Sequence, residues 1–377
     1  MTPVRRGALL GKTCDIRTVA TWADVGERVR EARLAAGLTQ QRLGEAVGLE
    51  RTAVAKVETG DRRLSILEAA AVAEALRVPL SLIVRPRPAA ITSQRRPLGD
   101  DAAEVERSRS RADLLVEAHG RDVRWLVEEG FLRPAVRSPT PVVTTGDEAR
   151  TAAQLVRQRL GLGLDPLPPL ADVAEDLGLF LLVVDEEVEG ASLDEGRWGA
   201  AVVGGRAAPG RRRSTAAHEL AHHVLGDAYA SDLPVSTSTD AREQLVDTLA
   251  SALLLPEDVI HRTFDGAGTT SERRAALVMI AARYRVSWTT ALAAARHALP
   301  ATEERHLRPS PTRGEILRVT GRDVEEDLHP GATGPRYTSA VLAAYSSGAV
   351  TADGALRLLH GRLQADDLPQ VDVDDVW

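Results

Sequence analysis

The sequence is short of thiols and of rings. Cys14 is the single cysteine in 377 residues, so no intramolecular disulfide forms, and any structural metal must be held by histidine and carboxylates rather than thiolates. A reducing compartment, the cytoplasm, fits that usage. Aromatic residues make up 3% of the chain against 44% hydrophobic overall. The cores must then be built mostly from Ala, Leu and Val, which favours helices over β-sandwiches. No stretch approaches the roughly 18 apolar residues needed to cross a bilayer, and the first twenty residues hold no continuous apolar run of signal-peptide length. No membrane is therefore expected among the partners. Lysine is nearly missing as well, with Lys12 and Lys56 the only two.

The net charge of −7 argues against wholesale coating of nucleic acid, but the charge is unevenly spread. Between Val25 and Arg96 there are 13 basic against 8 acidic residues, a positive segment in an acidic chain that suits an anionic partner. This segment reads as short amphipathic helices punctuated by Gly, Thr and Pro. Val25, Val29, Ala32 and Ala36 have helical spacing before Gly37; Thr39 caps "QQRLGEAVG"; "RTAVAKVETG" follows a tight turn at Gly48; and a further helix runs from Ser65 to Leu76. Two short helices across a tight glycine-containing turn make a helix-turn-helix unit.

Pro- and Arg-rich stretches near 85–101 and 133–147 read as breaks around a charged helix at 102–130. Beyond them come helices near 148–160 and 170–177. The unbroken apolar runs "LFLLVVD" and "GAAVVGG" read as buried strands. The rest is helical, apart from an acidic tail that ends at Trp377.

The chemistry concentrates in "STAAHELAHHVLGD", Ser214 to Asp227. Residues four apart share one face of a helix, so His218 and His222 can aim at a common ion with Glu219 beside it. H-E-x-x-H arises by chance in only on the order of 1 or 2% of chains with this many histidines. Ala217, Leu220, Ala221, Val224 and Leu225 put the helix against a core, where two unpaired imidazoles and a carboxylate would be costly. His223 points about 100° away from His222 and reads as a surface residue or a partner to a ligand. A catalytic zinc ion takes three protein ligands and leaves a position for water. Glu243 and Asp247, one turn apart on the next helix, are both within the reach of such an ion. Tyr229, His261 and Arg211 to Arg213 are candidates for stabilising an oxyanion.

"RRRSTAAHELAHHVLGD" followed by "E-x-x-V-D-x-L-A-x-x-L-L-L-P" resembles the ImmA/IrrE family of zinc metallopeptidases. The resemblance implies Zn2+ held by His218, His222 and Glu243, with Glu219 as general base. Asp247 stands where the family has Asn, and its extra charge suits a partner for a ligand histidine. "VREARLAAGLTQQRLGEAVGLERTAVAKVETG" resembles the XRE family, the phage-repressor type of helix-turn-helix. That resemblance implies that Arg51, Thr52 and Ala55 face base edges, that Gln40 meets a phosphate or base edge, and that Arg62 and Arg63 meet phosphates. Glu58 is expected to pair within the domain. One such domain binds weakly, and paired half-sites match a two-fold protein, so a homodimer is expected.

Together these readings predict a mainly α protein with a small β-sheet (α+β). An XRE-type five-helix bundle spans 22–84 and a linker with a helix 85–147. A zincin-like metallopeptidase domain spans 148–300, and a helical C-terminal region with an acidic tail 301–377. The resemblance implies a bacterial or phage-derived cytoplasmic protein that binds DNA and cleaves a regulatory protein, commonly a helix-turn-helix repressor, in a stress, phage or mobile-element response. The spacing alone implies only a zinc hydrolase. Two alternatives stay open: a non-proteolytic transcription factor whose zinc domain senses a signal, and an antitoxin-like binding partner.

Overall fold

Thr39 and Gly48 bracket the second helix of the computed structural model, which describes residues 21–78, 80–84, 91–94, 102–135, 142–226, 238–265, 267–299 and 305–370. Cys14, Tyr229, the end of the acidic tail from 371 to Trp377 and most of the two Pro-rich breaks lie outside these residues. The chain divides into two compact units, one built essentially from residues up to 87 and the other from 88 onward. Among the described residues no helix is long and apolar enough to cross a membrane.

The first unit holds α1 (Trp22–Ala35), α2 (Gln40–Val47), α3 (Arg51–Glu58), α4 (Ile66–Ala75) and α5 (Leu80–Val84). Thr39 accepts the Arg42 amide at the start of α2, Gly48 ends it in the left-handed region, and Ser65 with Glu68 forms a capping box on α4. Val29, Leu43, Val54, Val57, Val72 and Ile83 are buried between the helices. A Cβ at Gly44 would sit 2.4 Å from the Leu49 carbonyl oxygen, so the turn between α2 and α3 closes only over glycine. Beneath it Glu58 is buried and paired as the sequence suggests. Arg33 donates to both its oxygens at 2.6 and 3.1 Å, a bidentate pair that fixes α1 against α3.

The second unit is built on a four-stranded sheet in the order β1-β3-β4-β2. The strands are β1 (Ile91–Gln94), β2 (Leu179–Val184), β3 (Gly190–Asp194) and β4 (Gly199–Gly204). β2 and β4 are parallel in unbroken register, and β3 is antiparallel to both β4 and β1. Both faces are covered, which is why β2 and β4 read as continuous apolar runs. Leu179, Leu181, Val183, Ala201 and Val203 face one core, while Phe180, Leu182, Ala200 and Val202 face another.

The first core lies under α7 (Gly146–Arg159), α8 (Leu170–Asp176), α9 (Pro209–Leu225) and α10 (Ser238–Leu254). It extends into α11 (Glu257–Phe264), α12 (Thr270–Tyr284) and α13 (Trp288–Ala295), with α14 (Arg313–Thr320) tied on by Arg274 and Glu315. The second core lies under α6 (Ala102–Glu128), α15 (Pro335–Ser346) and α16 (Ala352–Leu358). Ala112, Val116, His119, Val123 and Leu126 of α6 are buried, an alternating spacing of four and three that puts one stripe on the sheet. The helix expected within a linker is thus a wall of the larger unit. The C-terminal helical region is equally integral to it. Glu175 of α8 accepts the first backbone amides of α15, from Arg336 and Tyr337, each at 2.8 Å, where a carboxylate is favoured.

The second core carries buried ionisable groups. His119 meets the Phe180 carbonyl at 3.1 Å through Nε2, and its ring lies against Tyr337 and His360. Burial, then the charge of His360, holds His119 down at about 3, and burial with Arg357 nearby holds His360 at about 4. Burial pushes Asp122 up to about 6. Below the ordinary histidine value of about 6.5 the unfolded chain takes up protons that the folded histidines refuse, so stability falls as pH falls. Asp122 opposes this, because the folded carboxyl takes its proton first. The net loss from pH 7 to 5.5 is about 2 kcal/mol, read as a lower urea midpoint. His360→Asn, which tolerates the positive φ of 52° at that position, should flatten that dependence by about three quarters, because Asp122 then opposes a single histidine.

Candidate metal centre

Helix α9 begins with Pro209 in its first turn and ends at Gly226, whose φ of 69° is left-handed. Between those stops it is buried on nearly every side, with α10 on one flank and the sheet on another. This places His218, Glu219 and His222 in the interior rather than on a wet face.

His218 and His222 turn their Nε2 atoms toward each other at 3.2 Å. Glu243, on α10, brings Oε2 to 3.3 Å from His218 Nε2 and Oε1 to 3.6 Å from His222 Nε2. Two ring nitrogens and a carboxylate thus converge within 4.8 Å of one another. A tetrahedral ion with bonds of about 2.0–2.1 Å holds its ligand atoms about 3.4 Å apart, so the triangle has the size such an ion needs. The donor set, two imidazoles and one carboxylate, is also that of a three-ligand zinc site.

Asp247 Oδ1 lies 2.9 Å from His218 Nδ1, the ring nitrogen turned away from the triangle. This contact fixes the tautomer that leaves Nε2 as the lone-pair atom. Burial pulls His218 down, but the carboxylates of Asp247, Glu243 and Glu219 more than reverse it and raise the imidazole above its usual value. Burial pushes Glu243 up, yet the two imidazoles hold its carboxyl far below the ordinary range.

Glu219 is fully buried, and its two oxygens differ. Oε2 accepts from Ser192 Oγ at 2.7 Å. Oε1 has no hydrogen-bond partner among the described residues, which leaves a basic oxygen open for a proton. Room for it comes from Gly190, where a Cβ would lie 2.8 Å from Oε1. Gly190 and Ser192 were not singled out from the sequence. Both lie on β3, whose small residues gave no strand signal, and only the strand's alternation brings them to the same face.

Other expected residues lie elsewhere. His223 is buried, not on the surface: Nε2 meets the Leu177 carbonyl at 3.1 Å, and the ring packs on Gly199. The three arginines serve the fold. Arg211 pairs with Glu189 at 2.5 Å, Arg212 donates to the Gly205 carbonyl at 2.7 Å, and Arg213 bonds Asp327 and the Leu167 carbonyl. His261 lies 3.7 Å from Glu257, one turn back on α11.

In the first unit, Arg51 and Thr52 are exposed at the start of α3 and Ala55 is half-buried one turn on. Gln40 donates to Glu58 at 2.8 Å and Arg62 to Glu68 at 2.7 Å, so both have partners inside the unit, whereas Arg63 is exposed.

Residues 29–83 match the family described as Helix-turn-helix, and residues 202–296 match the IrrE N-terminal-like domain. The Radiation response metalloprotease IrrE of Deinococcus radiodurans is 34% identical over 105 residues. That match takes in 26% of this chain and 31% of the relative's length. The crystal structure of Bacillus thuringiensis PlcR in complex with the peptide PapR7 and DNA overlaps 79% of this chain and 95% of that one. Its 13% identity and TM-score of 0.16 carry no argument about fold or function. This chain therefore joins a helix-turn-helix domain, over residues 29–83, to an IrrE-like peptidase domain, over residues 202–296.

Proposed function

We propose that the chain is a zinc-dependent endopeptidase of the H-E-x-x-H type, coupled to a sequence-specific DNA-binding unit, whose substrate is a regulatory protein, in particular a helix-turn-helix repressor. The observation that carries the reading is the triangle of His218, His222 and Glu243 with the open oxygen of Glu219 one residue along the same helix. The name of the Deinococcus radiodurans relative supports a regulatory role in stress.

Bound zinc supplies a Lewis acid, which acidifies water and polarises a peptide carbonyl. The chain's own residues do the rest. Glu219 accepts a proton at Oε1 while Ser192 holds Oε2 in place, and the carboxyl then returns that proton to the leaving amine. Asp247 keeps His218 oriented. In the first unit Arg51, Thr52 and Ala55 read base edges from α3, and Arg63 meets a phosphate. Gln40 and Arg62 join them by exchanging their partners Glu58 and Glu68 for DNA.

The test is the purified full-length chain, loaded with one equivalent of zinc and mixed with a helix-turn-helix repressor encoded beside it. The expected result is one cut at one bond, abolished by a chelator and restored by zinc. Regulatory peptidases need the bond presented in one geometry, so a casein digest is no substitute. An intact repressor with zinc demonstrably bound would sink the proteolytic reading and leave the signal-sensing one.

A further inference from the structure

We infer that the outer edge of β3 is a receiving site for an extended peptide strand, and that the chain fills it with its own residues 91–94, which keep the peptidase site closed. This rests on the peptidase reading for its meaning, though not for its geometry. β3 is hydrogen-bonded to β4 along one edge and to β1 along the other. It is also the strand that carries Ser192 and Gly190, the two residues in contact with the Glu219 carboxylate. A peptide stretched out beside Glu219 needs backbone partners, and β3 offers the nearest row of them.

That row is taken. Ser93 and Gln94 of β1 stand opposite Ser192 and Ala191, antiparallel, and β1 also packs against α9. The occupant is built to leave more easily than the other strands. β1 is four residues long where β2 is six, and its register with β3 shifts between Ile91 and Ser93, which breaks the ladder at a bulge. Its neighbours β3 and β4 keep a single register throughout.

A covered edge lowers apparent affinity for a competing strand by the fraction of time the edge is open. The experiment uses full-length protein in a Glu219→Gln background, so neither readout depends on hydrolysis. Residues 91–94 are replaced by Gly-Ser-Gly-Ser in one variant, and Ser93→Pro, which puts a residue without an N–H into the strand, is made in a second. Amide hydrogen exchange is followed across residues 190–194, and fluorescein-labelled PAAITSQRRP, the sequence of residues 88–97, is titrated by anisotropy. Exchange in β3 should rise about tenfold or more in both variants while β2 and β4 stay protected, and the peptide should bind them about tenfold tighter than the parent. Unchanged β3 protection with the sheet intact, or equal peptide binding to parent and variants, overturns the inference. Release of β3 in a chain that cuts nothing with Glu219 restored upholds this inference while removing the peptidase reading. Equal cutting by parent and variants with β3 unchanged does the reverse.

Discussion

Glu219→Gln should lower the rate of repressor cleavage by about 10²–10⁴-fold while zinc stays bound at one per chain. The substitution keeps the size of the side chain and lets the Ser192 hydroxyl go on donating at 2.7 Å to the oxygen that remains. It removes only the capacity of the open oxygen to accept a proton. Because Glu219 is not among the three side chains that converge, metal content should not follow activity downward. Single-turnover cleavage and metal analysis on the same preparation give both numbers. Activity within about tenfold of the parent, with zinc retained, would mean that another group takes the proton.

Glu219 is legible in the sequence because of the helix that carries it. The H-E-x-x-H spacing fixes which side chains share a face, and the alanines and leucines around it declare the helix buried, so residue types and local geometry suffice. The same holds for Thr39, Gly48 and Ser65, whose caps depend on neighbours two or three positions away. β3 is different. Gly190, Ala191 and Ser192 have little strand preference, and Gly190 and Ser192 face the Glu219 carboxylate, which leaves no room for a larger side chain at 190. Their pattern encodes a tertiary contact, which no local window displays. α6 hid for the opposite reason. Its charges are dense along the sequence, but they pair within the larger unit, Arg111 with Glu186 and Arg124 with Glu195, while Glu117 is buried beside the stripe from Ala112 to Leu126. Arg211 to Arg213, taken as candidates for stabilising an oxyanion, are spent on Glu189, Gly205 and Asp327, partners that lie as far away in sequence as position 327.

The two carboxylates of α10 separate by their effects on metal affinity. Glu243→Ala removes one of three ligand groups. Zinc sites are worth on the order of 10 kcal/mol or more, shared among their ligands, so the loss of one should weaken binding about 10³-fold. Asp247→Ala leaves the triangle intact but frees His218 Nδ1, and groups that only orient a ligand are worth about 10–100-fold. Competition with a chromophoric chelator at pH 7 measures both. The pH dependence then separates the roles. Asp247 is the largest of the influences that raise His218, so protons compete with zinc for that imidazole from above its ordinary value. Removing Asp247 lowers the proton affinity of His218, and the acid limb of zinc binding should move to lower pH even as affinity at pH 7 falls. If Asp247 were instead the ligand, its removal would cost the larger factor and Glu243→Ala the smaller, because the carboxylate that bonds the ion gives up more than the one that steers a ring.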